Sequence, residues 1–258
     1  MEIADFGPRL FSLEGKRALV TGGNTGLGRA FTVALAAAGA DVFAPSLADD
    51  DGTTAKMVAE HGRRYEFEQA DITETGVPGR TVAQCVERLG GLDILVNSAG
   101  ICLLDDVLSF DRSKWDPMIQ VNLTAAFDFA HAAAEVMVPQ GSGKIVNIAS
   151  LFSFLGGQWS PAYAATKAGI VGLTKSYADE LGGHGIQVNA LAPGYFATAI
   201  TEKTRSDPDA NRRIVEHIPA GRWGHPAELM GALVFLCSPA ADYVNGHTLT
   251  VDGGYLVR

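Results

Sequence analysis

Seven short apolar or β-branched runs alternate along the chain with longer stretches rich in Ala, Leu and Glu. The short runs predict strands, and the stretches between them predict helices. Strands that alternate with helices favour right-handed crossovers and a parallel sheet covered by helices on both faces. The predicted strands lie at 17–22, 40–45, 65–71, 92–97, 144–150, 186–193 and 247–253.

The length of 258 residues fits either one α/β domain or two small ones. Neither an internal repeat nor a low-complexity linker interrupts the alternation. We therefore predict a single domain over residues 1–258. Gly39 and Pro139 are expected to end two of the helices, and Pro226 to begin a third.

Charge and hydropathy exclude several kinds of partner. A formal net charge of −9 without a Lys/Arg cluster argues against nucleic acid and anionic membrane. The chain has neither a secretion signal pattern at its N-terminus nor an apolar run near the ~18 residues that span a bilayer, so we expect a cytoplasmic protein.

The three cysteines, Cys85, Cys102 and Cys237, are widely spaced. This spacing predicts reduced thiols that pack in the protein and no metal site.

A glycine-rich segment, VTGGNTGLGRAF (20–31), joins the first predicted strand to the first predicted helix. Such a junction directs free backbone N–H groups and the positive end of the helix dipole toward an anion, typically a phosphate. The common dinucleotide fingerprint is not met, because Phe31 replaces the third small residue and Ser46 stands where an acidic residue is expected. By itself the segment leaves both a plain turn and nucleotide binding open.

Further motifs follow at specific spacing. In one of them, YAATK (163–167), Tyr163 lies 13 residues after Ser150. The whole ordered series is TGxxxGxG (21–28), NSAG (97–100), VNLTAAF (121–127), NIAS (147–150), YAATK and APGYFAT (192–198). This series resembles the short-chain dehydrogenase/reductase family from about residue 12 to 258. The resemblance implies a doubly wound Rossmann-like α/β fold with a seven-stranded parallel sheet, a nicotinamide cofactor, and a catalytic tetrad at Asn122, Ser150, Tyr163 and Lys167.

The spacing of Tyr163 and Lys167 suits acid–base chemistry. Hydride transfer between a carbinol carbon and nicotinamide needs a group that gives or takes the proton of the oxygen. The ordinary tyrosine pKa of about 10 lies well above neutral pH, a gap of roughly 4 kcal/mol. A cation about 4 Å away contributes about 4 kcal/mol at an effective dielectric near 20. Residues four apart share a helix face, so we predict that Tyr163 is the acid/base and that Lys167 lowers its pKa, with help from the pyridinium charge of an oxidised cofactor.

The other two tetrad members have supporting roles. Ser150 ends a predicted strand, where ligands of open α/β sheets bind, and can orient the substrate oxygen. The resemblance implies that Asn122 fixes a water that links Lys167 to solvent.

NAD is the predicted cofactor, with NADP as the alternative. Ser46 and Leu47 end the second predicted strand, and neither supplies an acidic residue for NAD nor a cation for NADP. A 2′-phosphate without a cation would be poorly neutralised, which favours NAD. The predicted cofactor-binding residues are Gly22, Asn24, Thr25, Gly26, Leu27, Gly28, Ser46, Asp71, Ile72, Asn97, Ala99, Gly100, Tyr163, Lys167, Pro193, Gly194 and Thr198.

The segments 192–204, 218–231 and 240–258 resemble the sugar-acid branch of the family, which includes 2-deoxygluconate 3-dehydrogenase and gluconate 5-dehydrogenase. The expected substrate is therefore a sugar acid such as gluconate or 2-keto-3-deoxygluconate. Relatives in that branch tend to place an arginine after the NAG motif, where this chain has ICLLDD (101–106). Four other arginines are candidates to bind the carboxylate: Arg205, Arg212, Arg213 and Arg222. The predicted substrate-facing residues are Ser150, Phe152, Gln158, Trp159, Tyr163 and Tyr195.

Residues 195–222 form a long polar connection at a strand end, which predicts a lid that orders over the substrate. The resemblance also implies a homotetramer.

Two alternative functions stay open: a 3-oxoacyl thioester (acyl carrier protein) reductase, and a non-catalytic dinucleotide-sensing protein. A serine hydrolase is disfavoured, because Ser150 is not in a GxSxG elbow and no motif positions a histidine.

Overall fold

A seven-stranded parallel sheet forms the centre of the protein, in a computed structural model that describes residues 6–258. The strand order is β3-β2-β1-β4-β5-β6-β7, and every neighbouring pair is parallel. The predicted doubly wound fold class is confirmed. The strands are β1 Arg17–Val20, β2 Asp41–Ser46, β3 Tyr65–Gln69, β4 Ile94–Asn97, β5 Gly143–Ile148, β6 Ile186–Pro193 and β7 Thr248–Val251.

Helices cover both faces of the sheet. Helix α1 contacts α9 on one face, while α3, α5 and α6 pack together on the other. The helices are α1 Gly26–Ala37, α2 Thr53–Ala59, α3 Val77–Leu89, α4 Arg112–Ile119, α5 Ala125–Gln140, α6 Pro161–Leu181, α7 Glu202–Ser206, α8 Pro208–His217 and α9 Ala227–Cys237. A π-helical turn, Gln120–Thr124, joins α4 to α5.

The central strands are buried on both faces. Leu19 of β1 packs in the core beneath α3 and α5, while its neighbours Ala18 and Val20 pack in the core beneath α1 and α9. Both layers exclude water, so these strands are continuous apolar runs without polar alternation.

The chain order reverses at β1, which pairs with β2 on one side and β4 on the other. Crossovers therefore leave this point in opposite directions and open a crevice at the carboxyl ends of the strands, where ligands of such folds bind. The crevice positions the site described below.

Two predicted helix ends differ from the structure. Helix α5 does not stop before Pro139 but continues to Gln140, and Gly141 ends it with φ 69°. A proline in the last turn removes only one backbone donor, so the left-handed glycine sets the end. Helix α1 ends at Ala37, two residues before Gly39. Within residues 6–258, the helices lack the length and apolar character needed to cross a membrane.

Candidate active site

A cavity of about 570 Å³ lies at the carboxyl ends of the central strands. Its wall includes residues that follow β1, β2, β4, β5 and β6, so several separate sequence motifs meet there. The size and position suit a cofactor together with a small substrate.

The glycine segment forms the floor where α1 begins. Gly22 has φ 67°, and a Cβ at this position would lie 3.3 Å from the Cα of Ala99. A Cβ at Gly28 would collide with the carbonyl oxygen of Gly22. The N-cap residue, Thr25, makes no side-chain bond to the first turn of α1, so those N–H groups are free to bind an anion. The segment therefore fits the diphosphate of a dinucleotide.

Most of the predicted cofactor residues lie on the cavity wall. Asn24 and Asn97 instead lie behind the wall, where their amides hold backbone in place. Asn24 Nδ2 donates to the carbonyls of Ala48 and Asp49 at 3.0 and 3.1 Å, and Asn97 Nδ2 donates to Asn147 Oδ1 at 2.9 Å. The predicted residues on the wall are Gly22, Thr25, Gly26, Leu27, Gly28, Ser46, Asp71, Ile72, Ala99, Gly100, Tyr163, Lys167, Pro193, Gly194 and Thr198.

Tyr163 and Lys167 lie together on the first turns of α6 and face the cavity. The Lys167 Nζ lies 5.6 Å from the centroid of the Tyr163 ring and donates to the carbonyl of Ile148 at 2.7 Å. Lys167 is only 5% exposed. The lysine is thus fixed at the end of β5, beside the phenol.

Burial shifts the pKa values of this pair in opposite directions. Burial raises the pKa of Tyr163 to about 12, the nearby Cys102 thiol acts in the same direction, and a hydrogen bond with Ser150 opposes them. Burial lowers the pKa of Lys167 to about 8. The lysine therefore loses its proton before the phenol does. In the protein chain alone, desolvation outweighs the predicted effect of Lys167 on the tyrosine.

Ser150 begins a short 3₁₀ turn that joins β5 to the helix of the pair. Its Oγ accepts from the Phe152 N–H at 3.3 Å, and its N–H donates to Ser153 Oγ at 3.2 Å. Ser153 Oγ in turn donates to the Lys167 carbonyl at 2.7 Å. These bonds fix Ser150 relative to α6 and leave its hydroxyl on the cavity wall beside Tyr163.

Asn122 lies in the π-helical turn and is 2% exposed. Its Oδ1 accepts from the Ile101 N–H and its Nδ2 donates to the Ile101 carbonyl, both at 2.8 Å. A Cβ on Gly100 would lie 3.4 Å from Asn122 Oδ1 and 3.7 Å from Lys167 Nζ. The side chain of Asn122 therefore holds the segment after β4 against α6.

The predicted substrate residues divide into two groups. Ser150 and Tyr163 line the cavity, and Phe152 contacts the Tyr163 ring edge-on at 5.9 Å. Gln158 and Trp159 are exposed outside the cavity wall. Tyr195 also lies off the wall.

Trp159 and Tyr195 have other contacts. Trp159 has the left-handed φ of 63°, which is rare for a bulky residue, and its carbonyl accepts from the Asp105 N–H at 2.8 Å. Tyr195 packs against Trp223 and Tyr255, with ring centroids 5.4 and 5.1 Å away. Tyr195 is thus part of an aromatic cluster that joins β6 to the C-terminal segment.

Sequence reasoning missed several apolar wall residues. Cys102 is close enough to Tyr163 and Lys167 to affect both of their pKa values, and burial raises the pKa of its own thiol. Ile101 and Cys102 directly follow the recognised motif NSAG. The others lie in or just after recognised motifs, Val121 in VNLTAAF, Phe196 in APGYFAT and Ile200 two residues after it, and that proximity was the available signal. The missed apolar residues include Ile101, Cys102, Val121, Phe196 and Ile200.

Comparisons with known proteins identify the family. Residues 22–256 match a family model whose description is enoyl-(acyl carrier protein) reductase. The uncharacterized oxidoreductase YgcW of Escherichia coli strain K12 is 60% identical over 253 residues, which cover 98% of this chain and 97% of that protein. The chain belongs to the short-chain dehydrogenase/reductase family. The predicted family membership is confirmed.

Other members of the short-chain dehydrogenase/reductase family carry names that specify a reaction. The 2-dehydro-3-deoxy-D-gluconate 5-dehydrogenase of Escherichia coli strain K12 is 45% identical and covers 96% of this chain and 98% of its own length. The crystal structure of a gluconate 5-dehydrogenase from Burkholderia cenocepacia J2315, in complex with NADP and tartrate, has a TM-score of 0.91 and 37% identity, and covers 97% of this chain and 98% of its own. The protein is an NAD(P)-dependent oxidoreductase, as predicted.

Charged side chains are scarce on the wall of this short-chain dehydrogenase/reductase. Among the described residues, Lys167 is the one basic residue on the cavity wall. Two of the four candidate arginines form ion pairs elsewhere: Arg212 with Asp209 and Arg222 with Glu228. Arg213 is exposed on α8. Arg205, the fourth candidate, lies on α7 next to the cavity wall.

Proposed function

We propose that the protein is an NAD-dependent dehydrogenase that interconverts a secondary alcohol and a ketone on a sugar acid. The observation that carries the proposal is one cavity wall that contains the glycine segment, Ser150, Tyr163 and Lys167. Support for the substrate class comes from the relatives named for gluconate and 2-dehydro-3-deoxy-D-gluconate.

Different residues of the cavity wall would bind different parts of the cofactor. The free N–H groups at Gly26–Gly28 would bind the diphosphate, Asp71 and Ile72 would lie by the adenine, and Pro193, Gly194 and Thr198 would hold the nicotinamide end. When bound, the nicotinamide supplies or accepts the hydride. Gly22 and Gly28 keep the floor open, because a side chain at either position would meet backbone.

The protein's own part in the reaction is proton transfer. Ser150 donates a hydrogen bond to the substrate oxygen and holds it within reach of Tyr163. Tyr163 takes the hydroxyl proton during oxidation and returns it during reduction. Lys167 stabilises the phenolate by its charge, and Asn122 holds the wall segment that keeps Lys167 enclosed.

NAD is proposed over NADP because of the end of β2. Ser46 is 6% exposed and Leu47 is 69% exposed, and neither offers a cation to a 2′-phosphate. Arg29 of α1 already binds both oxygens of Asp51 at 3.1 Å. We expect kcat/KM to be at least tenfold higher with NAD. Equal values, or a preference for NADP, would refute this assignment.

One experiment tests the reaction class. Nicotinamide absorbance is followed with sugar acids, the corresponding sugar alcohols and acetoacetyl thioesters, each with NAD and NADP. Turnover of sugar acids supports the proposal. Turnover confined to thioesters with NADPH would reject it.

A 3-oxoacyl thioester reductase is the second candidate. The apolar wall residues Ile101, Val121 and Ile200 favour it, because they could contact an acyl chain. The net charge of −9 opposes it, because an acyl carrier protein is an acidic partner.

The homotetramer is likewise a proposal. An open apolar groove between the start of α5 and the middle of α6 supports it, with Leu123, Phe127 and Leu173 on its surface. Light scattering of the purified protein would test it, and a monomeric mass would contradict it.

A further inference from the structure

Arg205 has an unusual environment among the arginines of the segment 195–222. Its Nη2 donates to the Thr198 carbonyl at 3.1 Å, and its backbone N–H donates to the Thr201 carbonyl at 2.9 Å. Its Nε is shielded from solvent and has no hydrogen-bond acceptor. Within residues 6–258, no carboxylate lies at ion-pair distance from it; its positive charge is not neutralised there.

This environment is unfavourable without a ligand. A shielded N–H without an acceptor loses its water and gains nothing in return. Nearby arginines avoid this state: both guanidinium ends of Arg222 bind Glu228 at 2.7 and 2.8 Å, and Arg212 binds Asp209 at 2.7 Å. Arg205 has one of five N–H donors bound to a carbonyl and retains the capacity for a bidentate anion contact.

Arg205 lies directly behind the cavity wall. Its acceptors, Thr198 and Thr201, both line the cavity, as does Ile200 between them. Across the same cavity, the segment after β4 contributes Ile101 and Cys102, which cannot neutralise a carboxylate. The guanidinium of Arg205, if it reached the cavity beside Thr198 and Thr201, would supply the positive charge that the Ile101–Cys102 segment lacks.

We propose that Arg205 binds the carboxylate of the substrate and thereby selects sugar acids over uncharged sugars. This inference rests on the proposed function, because it requires an acid as substrate. The planar guanidinium matches a carboxylate with two parallel hydrogen bonds. Arg205 is a specificity-determining residue and takes no part in proton transfer.

The test compares gluconate with glucitol, which carries a hydroxymethyl group in place of the carboxylate. We expect Arg205→Gln to lower kcat/KM for gluconate about 10- to 100-fold, mainly through KM, with glucitol turnover unchanged within about twofold. Arg213→Gln is the matched control, since Arg213 is exposed on the neighbouring helix, and it should leave both substrates unaffected. Arg205→Lys keeps the charge without the fork and should fall between wild type and Arg205→Gln. Arg205→Lys also provides the test of the proposal if Arg205→Gln does not fold.

The outcomes separate the inference from the function on which it rests. A wild-type enzyme that prefers gluconate, with the preference intact in both Arg205 variants, overturns the role of Arg205 alone. A wild-type enzyme without preference for the acid overturns the substrate class and the role of Arg205 together. The dissociation constant of NAD, from fluorescence titration, should be unchanged in Arg205→Gln. A large rise, with the acid preference intact, would assign the arginine to the cofactor phosphates and overturn the proposal.

Discussion

Lys167→Met tests how the charge of one buried lysine supports catalysis. The substitution keeps a long unbranched side chain but removes the ammonium beside Tyr163. Below pH about 8 the native lysine is protonated and favours the phenolate. Burial raises the pKa of Tyr163 to about 12. The methionine variant lacks, at every pH, the positive charge that favours the phenolate.

The size of the effect follows from the geometry. The Lys167 Nζ lies 5.6 Å from the centroid of the Tyr163 ring. At an effective dielectric near 20, a unit charge at that distance contributes about 3 kcal/mol, which corresponds to a phenolate population about 100-fold higher at fixed pH. Loss of the cation raises the phenol pKa, so the rising limb of the oxidation rate must move to higher pH.

The assay is a profile of kcat/KM for alcohol oxidation against pH, from about pH 6 to 10. We expect Lys167→Met to be about 100-fold slower at pH 7.5, with its limb displaced upward. Lys175→Met is the control, because Lys175 is exposed two turns further along the same helix. A variant that keeps wild-type rates, or loses activity without a shift of the limb, would refute the electrostatic role.

Two further predictions concern the phenol and the glycine floor. Tyr163→Phe should reduce turnover by about 10²- to 10⁴-fold while the dissociation constant of NAD stays within about threefold; near-normal turnover would exclude Tyr163 as the acid/base. Gly28→Ala should abolish NAD binding in a fluorescence titration and lower the melting temperature, because its Cβ collides with the Gly22 carbonyl. The control is Gly79→Ala, which lies in open space on α3 and should instead raise the free energy of unfolding by up to about 1 kcal/mol. Intact NAD binding in Gly28→Ala would contradict the assignment of the glycine segment as the floor of the cofactor site.

The fold could be predicted because its signals are local. Each strand that is buried on both faces is a short apolar run, and each run in the sequence corresponds to one strand of the sheet. The glycine floor was visible for the same reason, since Gly22, Gly26 and Gly28 are close in sequence and act through the backbone. The end of α5 was missed, because Pro139 is a weaker stop in a last turn than the left-handed Gly141.

The sequence did not predict the directions in which several motif side chains point. Asn24 and Asn97 belong to recognised motifs, but their amides turn away from the cavity to bind backbone and Asn147. Tyr195 follows the same motif as Pro193 and Gly194, yet it packs against Trp223 and Tyr255, which are distant in sequence. Contacts of this kind depend on the tertiary structure and leave no local pattern.

The proposed acid–base pair, Tyr163 and Lys167, shows how spacing and burial act on different properties. The four-residue spacing brings Lys167 beside Tyr163, but the enclosure that fixes the lysine also lowers its pKa to about 8 and raises that of the phenol to about 12. A single partly titrated cation at 5.6 Å does not bring so buried a phenol to neutral pH. Lys167 is the one basic residue on the described wall, so a positively charged ligand bound in the same cavity would add to its effect on the phenol.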